Sequence, residues 1–195
     1  MSGADPDEAQ ADTILTARLR LRRARPDDLD ALHAVLSDAR SMRYWSTPPH
    51  RSLEETRLWL AEMLSAPAAL SDDFVIEREG RVIGKAGCWR LPEIGFVLHG
   101  DHMRRGYGRE ALSALIPRLF ARFDIPAITA DVDPRNLASL GLLRGLGFVE
   151  TGRASRTWLV GDAYCDSLYL ALPRPAEGNP TARPGDGLRV PLDRG

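Results

Sequence analysis

The sequence predicts one mixed α/β domain, and three observations carry that prediction. The chain has 195 residues with ordinary charged and apolar fractions, enough to bury a single core. Its apolar pattern changes period along the chain: RLRLRR at residues 18–23 alternates strictly, whereas Leu112, Leu115, Ile116, Leu119, Phe120 and Phe123 recur at helical spacing. Turn and cap signals, such as Glu79-Gly80 and Gly147, separate these segments at short intervals.

Taken in order, residues 1–12 are polar and acidic without a period and read as a flexible leader. Residues 18–23 form a strand with Leu19 and Leu21 inward. Pro26-Asp27-Asp28 opens a helix whose apolar face carries Leu29, Leu32, Ala34, Val35 and Leu36. Ser52 with Glu55 three residues later spells a capping box for a second helix, with Leu58, Trp59 and Met63 as its stripe. The aromatic loop between the helices, residues 43–49, is kept extended by Pro48 and Pro49. Residues 74–77 and 81–89 are strands about the tight Glu79-Gly80 turn, and residues 93–98 are the next strand.

The helix that follows Gly108 contains Pro117, which removes one backbone bond and is expected to bend it. A short strand over 127–132 leads to Asp133-Pro134, read as the cap of a further helix that Gly147 ends. A strand at Phe148 and two more over 153–160 and 164–172 complete the domain, residues 13–172. From residue 173 to 195 the chain is Pro/Gly-rich without a period and reads as a tail.

The formal net charge of −1 argues against a dedicated nucleic-acid or anionic-membrane surface, although Lys85 is the single lysine among 26 basic residues. No secretion signal or long apolar run is present, and Cys88 and Cys165 do not make a disulfide framework, so a cytoplasmic setting is expected. His99-x-x-His102 lacks further ligands, and no metal is expected.

Chemistry concentrates in HMRRGYGREAL, residues 102–112. A strand, a glycine loop and a helix start in that order make an anion site, because the first helical N–H groups have no acceptor within the helix. Gly106 and Gly108 remove the Cβ atoms that would obstruct a phosphate, and Arg104, Arg105 and Arg109 add charge. The same residues read G-x-G-x-x-A with Asp131 near the offset of a ribose-binding acid, so a dinucleotide-binding protein is an alternative. Against it, residues 99–105 intervene between the strand and Gly106, and too little chain follows for a doubly wound sheet.

The order E-I-G-F, R-G-Y-G-x-E-A-L, then N-x-x-S-x-x-x-L-x-x-L-G-F resembles the GNAT family of N-acetyltransferases, within it the branch that acetylates protein N-termini in bacterial ribosomes. The likeness covers residues 13–172. It implies a central mixed, mostly antiparallel sheet of about seven strands flanked by about four helices, and acetyl-CoA as cofactor. By that resemblance the pyrophosphate falls to Arg104, Arg105, Gly106, Tyr107, Gly108 and Arg109, and the pantetheine arm to Phe96, Val97 and Leu98. Asn136 meets the pantetheine region, and Ser139 lies one turn on, near the thioester. Two positions depart from the family pattern: Met103 replaces a polar residue of the loop, and Leu143 stands where many relatives carry a tyrosine acid.

The implied reaction is attack of a primary amine on the thioester. A protein α-amino group, with pKa near 7.7–8.0, is roughly a tenth neutral at pH 7, and a nearby carboxylate assists by taking its proton. Glu93 is the expected base, with Asp131 and Asp133 as weaker candidates, and the leaving sulfur takes its proton from Ser139, from water or from neither. Tyr44, Trp45, Trp89 and Tyr164 are expected to line the acceptor site. The acceptor is a peptide or small molecule, and a homodimer is admitted. A non-catalytic acyl-CoA-binding or regulatory module is the second alternative.

Overall fold

The computed structural model describes residues 13–176. The leader over 1–12 and the part of the tail beyond 176 lie outside the described residues. Strand β1 (Thr13–Leu15) folds back on β2 (Arg20–Arg22), and a 3-10 turn at Pro26–Asp28 leads into helix α1 (Leu29–Leu36). Helix α2 (Leu53–Ser65), strands β3 (Asp72–Arg78), β4 (Arg81–Arg90) and β5 (Glu93–Leu98) follow, then helix α3 (Tyr107–Arg122). Strand β6 (Ala127–Val132), helix α4 (Leu137–Arg144) and strands β7 (Val149–Val160) and β8 (Ala163–Pro173) complete the described residues. All eight strands join one sheet in the order β1-β2-β3-β4-β5-β6-β8-β7. Every pairing is antiparallel except β5 with β6. That topology removes the dinucleotide alternative, which needs a parallel, doubly wound sheet.

The sheet is covered on both faces, as β3 shows. Phe74 and Ile76 belong to the cluster built on Leu112, Leu115 and Leu119 of α3, while Val75 packs with Leu32 of α1 and Leu60 and Met63 of α2. Alternation therefore buries both sides of the strand, and its acids divide the same way. Asp72 accepts from Arg118 and Arg122 of α3 and from Arg23, and Asp73 pairs with the buried Lys85 at 2.7 Å. Positive φ at Glu79 (51°) and Gly80 (77°) makes the expected tight turn.

Five readings need correction. β1 has only three residues, too few to display a period, and raises the strand count to eight. The strands expected at Phe148 and 153–160 are one twelve-residue strand, β7, whose register shifts at Glu150/Gly152 and Ala154/Trp158 disguise its alternation. Leu58 is exposed, because Thr56, Leu60 and Met63 form the buried stripe of α2. Its Ser52 hydroxyl does cap Glu55 N–H, but the Glu55 carboxylate turns back to Arg51 N–H rather than to Ser52. Finally, Asn136, not Asp133, is the N-cap of α4.

The domain also runs past 172. Arg174 donates to the carbonyls of Phe120, Phe123 and Ile125, clasping the end of α3. Gly147, at φ 95°, closes α4 as expected: Gly147 N–H bonds Arg144 O and Phe148 N–H bonds Leu143 O. Helix α3 runs through Pro117 without interruption. Among the described residues no helix is long and apolar enough to cross a membrane.

Candidate active site

The parallel pair β5 and β6 meets at a single register point, Glu93 with Thr129, where Thr129 N–H donates to Pro92 O at 3.0 Å. Beyond that point no ladder pairs are made, and the strands part. β5 remains paired to β4 through Gly95, Phe96, Val97 and Leu98, so its other backbone edge faces the opening. An extra residue in β4 between Gly87 and Arg90 kinks the pair at this level, close to Gly95.

A cavity of about 920 Å³ fills the opening, bounded by Phe96, Val97 and Leu98, by Met103, Arg104, Gly106, Tyr107, Gly108 and Arg109, and by Asn136, Ser139 and Leu142. A smaller space of about 70 Å³ adjoins it between β5 and β6, lined among others by Gly95, Asp131, Asp133 and Leu143. Tyr44, Trp45, Phe96, Asn136 and Ser139 border both.

The glycine loop is built for close approach. Arg104 (φ 59°) and Gly106 (φ 81°) turn the chain into α3, and the N-cap is a glycine without a capping side chain. Among the described residues no side chain accepts from the amides of Tyr107, Gly108 or Arg109. A Cβ on Gly108 would stand 3.0 Å from Leu142 Cδ1, so the glycine also lets α4 pack against the start of α3. The loop is tied down by Arg18, which donates to Arg105 O at 3.1 Å, lies 4.6 Å from the Tyr107 ring centre, and pairs with Glu110 at 2.7 Å.

Five arginines line the large cavity, Arg40, Arg43, Arg104, Arg109 and Arg135, and no acidic residue lines it with them. Three are committed elsewhere in part. Arg40 pairs with Asp38 and Asp101, Arg109 donates to Gly145 O at 3.0 Å, and Arg135 grips Asp133. Asp38 braces this wall by accepting from Ser41 Oγ and Gly100 N–H. Burial pushes its carboxyl up, but those donors and Arg40 prevail and hold it at about 2. Arg43 and Arg104 form no ion pair among the described residues. Such a surface favours a polyanion.

The expected residues divide accordingly. Phe96, Val97, Leu98, Arg104, Gly106, Tyr107, Gly108, Arg109, Asn136, Ser139, Tyr44 and Trp45 come together on the cavity walls. Arg105 does not line it; its carbonyl serves Arg18 instead. Trp89 and Tyr164 line neither space; Tyr164 lies on β8 under Arg156, 4.0 Å from the ring centre.

Glu93 also borders neither space. Its carboxyl is raised above the usual range, first by burial of the charged end and then by Asp131, which places it in electrostatic reach of the smaller space. Asn136 spends its side-chain oxygen on Ser139 N–H at 3.2 Å. Leu143 is fully buried core. No motif in the sequence marks Arg40, Arg43 and Arg135, which also line this cavity. Only tertiary packing brings the loop after α1 and the turn before α4 to the mouth of the glycine loop.

The model of the acetyltransferase (GNAT) domain matches residues 18–149. An uncharacterized N-acetyltransferase, p20 of Bacillus licheniformis, is 29% identical over 150 residues, covering 72% of this chain and 84% of the relative. Among solved structures, a GNAT-family acetyltransferase from Bacillus anthracis superposes with TM-score 0.71 at 23% identity, covering 83% of this chain and 98% of that one. RimL, a ribosomal α-N-protein acetyltransferase in complex with coenzyme A, gives 0.73 at 22%, covering 83% and 97%.

Proposed function

The chain belongs to the GNAT acetyltransferase family, and from that premise we propose that it moves an acetyl group from acetyl-CoA to a primary amine, with a protein N-terminal α-amine as the favoured acceptor. The observation that carries this reading is the uncapped start of α3, opening with Gly106 and Gly108 onto the arginine-lined cavity between β5 and α4.

The residues present suit coenzyme A. The free amides of Tyr107, Gly108 and Arg109, with Arg104 and Arg43, hold its phosphates. The unpaired edge of β5 at Phe96, Val97 and Leu98 offers backbone partners to an extended amide-bearing arm, in the manner of an added strand. Bound acetyl-CoA supplies an electrophilic thioester carbonyl and a thiol leaving group. Ser139, which borders both cavities, would pass a proton to that leaving sulfur. Tyr44 and Trp45 wall the acceptor side and exclude water.

The acceptor ammonium loses two protons as a C–N bond replaces the C–S bond: one restores the proton that Ser139 passes to the departing sulfur, and the other leaves for solvent by way of Glu93. Glu93 takes the latter proton, through water, since it borders neither space directly. Its raised carboxyl brings its basicity nearer to neutral pH. The preference for a protein N-terminus is supported by the resemblance of the chain to the ribosomal branch and by RimL among its structural neighbours.

Calorimetry with CoA and with NAD, followed by thiol release from acetyl-CoA across peptides, polyamines and amino sugars, tests this. CoA binding with turnover on peptide N-termini is expected. Tight CoA binding with no turnover on any amine would instead establish a non-catalytic sensor.

A further inference from the structure

We propose that Asp131 is the residue that receives the cationic acceptor, so that the enzyme selects amines that are protonated when they arrive. This assignment rests on the acetyltransfer reading and names the substrate class of the same site. Asp131 lies on β6 and borders the small space where β5 and β6 separate, beside Ser139 and Asn136.

Its surroundings set it apart from the other acid of that space. Asp133 is neutralised by Arg135, which meets both carboxylate oxygens and holds its carboxyl below the usual range. Asp131 forms no ion pair with an arginine or lysine among the described residues. Its partners are neutral: Trp158 Nε1 and Ser167 Oγ, each donating to Oδ2 at 2.9 Å. Ser167 is almost wholly buried and is fixed in turn by Thr157 Oγ1 at 2.6 Å.

Two donors on one oxygen orient the carboxylate without discharging it, and Oδ1 has no protein donor among the described residues. A charge held in place, partly desolvated and left without a counter-ion gains most from an ammonium ligand. Glu93 feels the same field: Asp131 is one cause of its raised carboxyl, and an arriving cation relieves both.

The assignment predicts that Asp131→Asn lowers kcat/KM for peptide and polyamine acceptors by about ten- to a hundredfold, the range of one hydrogen bond to a charged group. Affinity for CoA, read by calorimetry, stays within about twofold of wild type. With hydroxylamine, a nucleophile uncharged at assay pH, the same variant stays close to wild type. Trp158→Phe removes one orienting donor without touching the cavity wall, and raises KM for the cationic amines severalfold with CoA affinity unchanged.

Equal loss on hydroxylamine, no loss in either variant, or a loss that tracks CoA affinity overturns the assignment. Should Asp131→Asn fail to fold, Trp158→Phe decides alone. A wild type that binds no CoA overturns the acetyltransfer reading itself, a result distinct from turnover that ignores Asp131.

Discussion

Replacing Glu110 by alanine cuts the tether that holds the glycine loop. Glu110 lies in the first turn of α3, its side chain only 16% exposed, and accepts three bonds from the turn between β1 and β2. Thr16 Oγ1 donates at 2.6 Å, Arg18 N–H at 2.8 Å and Arg18 Nε at 2.7 Å. Arg18 is 47% exposed, so its ion pair contributes about 0.5 kcal/mol. The two remaining bonds end on a poorly solvated carboxylate and contribute about 1 kcal/mol each.

The sum, about 2.5 kcal/mol, lowers Tm by about 5–10 °C for a domain of this size. Arg18 then loses its anchor and with it the grip on Arg105 O and Tyr107, so CoA affinity falls several-fold. The loss is also pH-dependent. Burial acts to raise the Glu110 carboxyl, but Thr16 and Arg18 outweigh it and leave it below its ordinary 4.5. The folded state thus binds this proton less readily than the unfolded chain. Its contribution is complete above about pH 4.5 and is lost as pH falls through the lowered folded value. Thermal scans of both proteins from pH 7 to acid, with calorimetric CoA titrations at neutral pH, measure all of this. A Tm difference under 2 °C at neutral pH, or one that widens in acid, refutes the reasoning.

Asp72→Asn removes the charge shared by Arg23, Arg118 and Arg122 in a fully buried position, and costs about 3 kcal/mol in chemical denaturation with CoA affinity retained; a loss below 1 kcal/mol contradicts the burial argument. Gly106→Ala forces alanine into φ 81° at about 1–2 kcal/mol and weakens CoA binding. Gly80→Ala, at φ 77° in open space, costs a similar amount but leaves CoA binding alone, and equal behaviour of the two in the binding assay defeats the loop assignment. Glu93→Gln slows amine turnover without changing CoA affinity. Because the folded Glu93 carboxyl is raised, ionising it destabilises the fold as pH climbs past the ordinary value. The glutamine variant is therefore the more stable protein at neutral pH and matches wild type in acid, which paired melts at both pH values will verify.

Much of this is legible in the sequence alone. The 3.6-residue spacing of Leu112, Leu115 and Leu119 marks the buried face of α3, and E-I-G-F followed by the glycine pair marks residues that line the large cavity. What escaped was chemistry that depends on non-local partners. Thr56 took a core position of α2 that apolar counting assigns to Leu58, since His33 Nδ1 and His50 Nδ1 both meet its hydroxyl. Asp133 carries a helix-cap signature, yet Arg135 claims it and Asn136 caps instead. Asp131 looked like one acid among several until β7 and β8 supplied Trp158 and Ser167.

The sheet order has a bearing on how this protein is made. β8 is the last of the described strands to leave the ribosome, yet it is threaded between β6 and β7, and Leu168 and Leu170 bury their side chains in the main core. A nascent chain that ends before residue 163 therefore exposes the flank of β6, and its long β7 has nothing to lie against. The domain cannot close until β8 has emerged, so stops before residue 163 yield aggregation-prone fragments rather than a slightly trimmed enzyme.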